Sequence, residues 1–142
     1  MTDLADANVL LALHAPGHPH HRAAATWFES CTAFATTPMT ETALVRLLAR
    51  ADVMGGKPVP PAQAIAMLTQ LKQQPHVAFW PDGEQFDRSR FAYACLGPGQ
   101  VTDLHLLDLA AARGGTLVTF DARIAAALKP RDRAYVRLLP TA

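Results

Sequence analysis

Short β-rich runs alternate with helical runs along this chain, and that alternation narrows its fold more than any other feature. Thr2–Asp6, Thr32–Thr36, Val77–Trp80, Thr116–Phe120 and Tyr135–Leu139 read as five short strands. Helical patterns fill the gaps: Val9–Leu13 behind Asn8 as N-cap, Pro19–Ser30, residues 38–52 and Gln63–Gln73. Three more follow over Glu84–Cys95, from an N-cap at Thr102 to the Gly114-Gly115 stop, and over Ala122–Leu128. Helices between strands are the crossovers of parallel pairing, and chain chirality makes them right-handed. The expected fold is therefore α/β, a three-layer α/β/α sandwich around a mostly parallel, about five-stranded central sheet. Ligands of such sheets bind outside the carboxyl ends of the strands.

Composition limits the function classes. A chain of 142 residues suits one domain, 1–142, and 50% apolar against 18% charged residues favours a packed core over disorder. No apolar run of about 18 residues is present to span a membrane. The start Met-Thr-Asp-Leu-Ala-Asp has two acids and no basic region, so a secretory leader is not expected and a cytoplasmic location is. Cys31 and Cys95 lack any Cys-x-x-Cys partner and read as reduced, buried thiols. The net charge of +1 is split: residues 1–112 hold 7 Lys/Arg against 10 Asp/Glu, and residues 113–142 hold 6 against 2. The basic tail permits a phosphate-rich partner without requiring one.

Four acids stand out by position. Asp6 and Asp121 each end a strand. Asp103 shares a helical face with Leu106, Leu107 and Ala110, at i+3, i+4 and i+7, and Glu41 does the same with Leu44, Val45 and Leu48. Asp108 falls off its seam and reads as surface. Each acid alone has an ordinary explanation: an N-cap for Asp6 or Asp121, a helix-dipole partner for Asp103, an ion pair with Arg46 for Glu41. Together they line one rim of the sheet, where mutual repulsion would force some to protonate unless a cation sat among them. No Lys or Arg falls obviously inside the cluster. Oxygen-only ligands select a hard cation, Mg²⁺ or Mn²⁺, and the chemistry that fits is phosphodiester hydrolysis by a metal-activated water.

Other motifs are missing. There is no phosphate-cradling Gly-rich loop and no Gly-x-Ser-x-Gly elbow. His14, His18, His20 and His21 crowd a Pro-Gly turn, but their spacing matches no metal site and they read as a solvated turn.

Asp6-Ala-Asn8, Thr37-Pro-Met-Thr-Glu41 through Arg46, Thr102-Asp103-Leu-His and Thr119-Phe-Asp121 come in a characteristic order and spacing. Together they resemble the PIN-domain ribonucleases that serve as VapC toxins of VapBC toxin–antitoxin pairs, over nearly the whole chain. The resemblance implies an acidic quartet of Asp6, Glu41, Asp103 and Asp121. In it, Asp6 and Asp103 are the principal metal ligands, and Glu41 and Asp121 act directly or through water. Asn8 and Thr119 match supporting polar positions, and Arg46 a basic one. Also implied are Mg²⁺-dependent cleavage of RNA, a homodimer, and a cognate VapB-type antitoxin that blocks the groove. Two other classes compete: a metal-dependent phosphatase or DNA nuclease on a related α/β fold, and a PIN-like module that binds RNA or protein without catalysis.

Overall fold

The computed structural model describes residues 2–141. Its centre is a five-stranded sheet of β1 (Asp3–Ala5), β2 (Phe34–Thr36), β3 (Val77–Phe79), β4 (Thr116–Thr119) and β5 (Val136–Leu138), in the order β3-β2-β1-β4-β5. All four pairings are parallel, which makes the sheet fully rather than mostly parallel. The helices are α1 (Ala7–His14), α2 (His21–Ser30), α3 (Pro38–Leu48), α4 (Pro61–Lys72), α5 (Val101–Ala112) and α6 (Ala122–Ala127).

Strand alternation sends side chains into two cores. Ala5, Phe34, Val118 and Leu139 join α1–α4 on one face, and Leu4, Ala35 and Leu117 join α5 and α6 on the other. Helix α5 is enclosed on nearly every side, since Leu104 through Ala110 are all buried. That enclosure corrects the surface reading of Asp108, which is only 7% exposed. Its Oδ1 accepts a hydrogen bond from the Arg90 backbone N–H at 3.3 Å.

The helix expected over Glu84–Cys95 is the largest departure. Only short 3₁₀ turns form there, at Phe86–Arg88 and Ala92–Ala94. The backbone N–H of Arg90 goes to Asp108 and that of Phe91 to Ser89 Oγ, so side chains take donors that a helix would need. Phe91 is fully buried and plugs this segment against α5. Smaller corrections concern helix ends and faces. Position Asp6, not Asn8, precedes the first turn of α1, and α5 starts at Val101 behind Gln100 rather than at an N-cap on Thr102. Helix α3 stops at Leu48, and α4 buries Ala64 and Leu71 while leaving Ile65 54% exposed. The thiols of Cys31 and Cys95 are unpaired as expected, but half-buried.

At the amino ends of the strands, Asp3 ties the sheet together. Its carboxylate accepts from Trp27 Nε1 at 3.1 Å and Thr116 Oγ1 at 2.8 Å, and Arg137 lies 3.4 Å away. The turn from α5 to β4 passes close to it. Gly114, at φ +68, lets α5 end with Gly115 N–H bonded to the Ala110 carbonyl. A Cβ on Gly115 would stand 2.3 Å from the Thr2 carbonyl oxygen and 2.9 Å from the Trp80 ring. Gly115→Ala is accordingly expected to destabilise the chain by about 1–3 kcal/mol through overpacking, measured by urea unfolding. An unchanged midpoint would mean that the β1 start and the α5–β4 turn do not meet this closely.

Candidate active site

The sheet order reverses between β1 and β4: β2 and β3 extend from one side, and β5 from the other. The crevice at such a switch point is where open α/β sheets bind ligands, and here the strands deliver Asp6 and Asp121 to it. The Asp6 backbone N–H continues the ladder by bonding to the Val118 carbonyl at 2.9 Å. Its side chain, 6% exposed, accepts from Thr119 Oγ1 at 2.7 Å. Thr119 Oγ1 is a hub, accepting from Asn8 Nδ2 at 3.3 Å and from the Asp121 backbone N–H at 3.1 Å. Asn8 Oδ1 in turn accepts from the Phe120 backbone N–H at 3.4 Å. Asn8 thus cross-links α1 to the end of β4. Burial holds the Asp6 carboxyl above the usual carboxylate range, against the Thr119 hydrogen bond, and the Asp121 charge adds to the rise.

Asp121 caps α6 by accepting from the Arg123 backbone N–H at 2.9 Å. The Arg123 guanidinium grips it with two bonds, at 3.0 and 2.8 Å, and holds its carboxyl below the usual range. Asp103, in the first turn of α5, is half-buried. Burial first, then the Asp6 and Asp121 charges, push it up to about 7. These three acids therefore sense one another across the crevice.

Glu41, in the first turn of α3, is held apart from them. Its Oε2 accepts from Thr36 Oγ1 at 2.6 Å and lies 2.9 Å from Lys72 Nζ at the end of α4. Lys72 also sits 4.5 Å over the Phe79 ring. The expectation that no cation enters the cluster is thereby overturned twice, by Lys72 and Arg123. Arg123 was within reach of sequence reasoning, two residues past a capping acid. Lys72 gives no such signal, because 31 positions and a helix hairpin separate it from Glu41. Arg46 is exposed and lines an apolar groove between α3 and α4 that begins at Glu41.

The donor set on this rim is all oxygen, and burial first, then the Asp6 and Asp121 charges, raise the Asp103 carboxyl against the opposing pull of Arg123. Both features fit a hard divalent cation. As the side chains stand, no three His, Cys, Asp or Glu among the described residues close on one point that could hold an ion. Glu41 is turned to Lys72 and Asp121 to Arg123. The histidine turn is explained locally: the His14 and His21 rings bond the carbonyls of Leu10 and Ala12. The basic tail is also largely committed. Arg137 meets Asp3, Arg133 bonds the Ala125 and Leu128 carbonyls, and Lys129 lies over Tyr93. Among the described residues, no helix is long and apolar enough to cross a membrane.

A model of the PIN domain matches residues 4–129. The chain belongs to the PIN-domain family. This PIN domain is 44% identical over 133 residues to Ribonuclease VapC39 of Mycobacterium tuberculosis, covering 88% of this chain and 92% of that protein. It is 41% identical over 126 residues to Ribonuclease VapC29 of the same organism, covering 88% and 90%. The crystal structure of Mycobacterium tuberculosis VapC20, a toxin that cleaves the sarcin–ricin loop, aligns with a TM-score of 0.68 over 98% of this chain and 100% of that one. At 14% identity that likeness shows a common fold.

The acids at the switch point give this PIN domain a pH-dependent stability. Asp103 ionises near 3.9 in an unfolded chain and at about 7 when folded. Its contribution is thus complete below pH about 4 and is lost as the pH rises through 7, and Asp6 acts in the same direction. Thermal unfolding of Asp103→Asn and wild-type chains in chelator, compared from pH 5 to 8, should show the variant gaining stability relative to wild type as the pH rises. A difference that stays flat with pH would show that Asp103 ionises normally.

Proposed function

We propose that this PIN domain is a metal-dependent endoribonuclease, the cytoplasmic toxin of a toxin–antitoxin pair. The carrying observation is the gathering of Asp6, Asp103 and Asp121 at the strand-order reversal, with Asp103 driven up to about 7 by burial and by the other two charges. The VapC relatives, ribonucleases at 44% and 41% identity, support RNA as the substrate. They likewise support a VapB-type antitoxin as the partner. On this reading 1–142 is a single PIN domain that works as a homodimer.

Asp6 and Asp103 would hold Mg²⁺, or Mn²⁺ in its place, with Glu41 and Asp121 contributing directly or through water. The ion supplies a Lewis acid that activates water and neutralises charge on the phosphate. The chain's own residues prepare the rim for it. Thr119 fixes one Asp6 oxygen, Asn8 and the Asp121 N–H fix Thr119, and the Asp6–Thr119 contact follows from the β1–β4 register. Thr36 and Lys72 fasten Glu41 Oε2, which leaves Oε1 as its available oxygen. Arg123 pairs with Asp121 and Lys72 with Glu41, and an incoming phosphate diester would meet both cations at the rim.

Cleavage of single-stranded and structured RNA should require Mg²⁺ or Mn²⁺ and stop in chelator. Asp6→Asn and Asp103→Asn should each lower the rate by about 10³-fold or more, the loss of several kcal/mol of charge stabilisation. Mn²⁺ should raise the melting temperature of the wild-type chain and leave that of Asp103→Asn nearly unchanged. An Asp103→Asn variant that cuts RNA at the wild-type rate would sink the proposal.

A further inference from the structure

The loop joining α1 to α2 faces the segment that follows α3 across a cavity of about 500 Å³, within the size range of small-molecule sites, roughly 300–1,000 Å³. Its walls include His18, Pro16, Pro19, Val53, Met54 and the exposed residue Lys57. One aromatic ring, several apolar surfaces and one exposed cation are the parts that grip an unpaired nucleotide: a plane for the base and a charge for the phosphate.

The cavity is joined to the acidic rim by rings. The His18 and His20 centroids are 5.5 Å apart, and His20 lies 4.8 Å from Phe120 with planes inclined by 32°. Phe120 stands between Thr119, which holds Asp6, and Asp121. The His20 backbone N–H donates to His18 Nδ1 at 3.0 Å, which fixes the His18 ring relative to this ladder. All three rings are partly exposed. Burial, then His20 and His21, hold the His18 imidazole below its ordinary value, so it presents a neutral face near pH 7.

We infer that the cavity between the His18 turn and the Val53–Lys57 segment is a subsite for a base of single-stranded RNA flanking the cut, with His18 as its stacking plane and Lys57 as its phosphate contact. The inference rests on the ribonuclease reading above. It gives the His18–His20–Phe120 ladder the task of leading the strand from this cavity to the acids.

Binding of a fluorescent mixed-sequence single-stranded RNA oligonucleotide, measured in chelator so that no cleavage occurs, separates the two readings. His18→Ala should weaken binding about 10-fold, in keeping with the loss of one stacked base, while His18→Phe, which keeps a ring, should stay near wild type. Lys57→Ala should reduce the slope of log affinity against log salt by about 0.7, one single-strand phosphate. With Mg²⁺ added, His18→Ala should raise KM by a similar factor and leave kcat unchanged. Wild-type binding and KM in both His18→Ala and Lys57→Ala would overturn the subsite even if the chain cleaves RNA. His18-dependent binding by a chain that cuts no RNA would keep the subsite and overturn the ribonuclease reading.

Discussion

The parallel pairing of Leu4 with Leu117 and Ala5 with Val118 sets Asp6 beside Thr119 and Asp121, and the chemistry of the rim descends from that register. A slip of one residue would turn the two core faces of β1 and β4 inside out, so the hydrophobic packing that stabilises the sheet also fixes the carboxylates. Burial and repulsion then act on acids that have nowhere to go. Asp6 is locked by Thr119, and Asp103 is carried on a helix whose next seven residues are all buried. The strain of like charges is stored in protonation rather than in backbone distortion, since among the described residues no non-glycine residue adopts a positive φ.

Cations inside the chain modulate that strain unevenly. Arg123 grips Asp121 with two bonds, and Lys72 with Thr36 fastens Glu41, whereas among the described residues no cation is in contact with Asp6 or Asp103. The acids therefore separate into a neutralised outer pair and an unneutralised inner pair. That division arises from where the basic side chains sit.

Much of this was legible in the sequence, and the failures share a cause. Strand positions, and the helical seams that carry Asp103 and Glu41, follow from local periodicity. So does Asp121 at a strand exit. Lys72 was not legible, because its approach to Glu41 depends on how the α3–α4 hairpin closes. Asp108 was misread because α5 is apolar on all sides, which leaves no polar face for periodicity to find, and because its cover comes from a separate segment. That segment, residues 84–95, looked helical by composition until Asp108 and Ser89 took its backbone donors. In each case a contact distant in sequence outweighed a local preference.

Among the described residues the sheet has no adjacent-strand hairpin, and its four pairings join strands brought together by crossovers. The four acids accordingly span residues 6 to 121, and the central β1–β4 pair closes only after the intervening helices have been laid down. A partly synthesised chain still emerging from the ribosome carries Asp6 and Glu41 without the strand that brings Asp121 alongside them. The architecture thus delays the assembly of the acidic rim until most of the polypeptide is made.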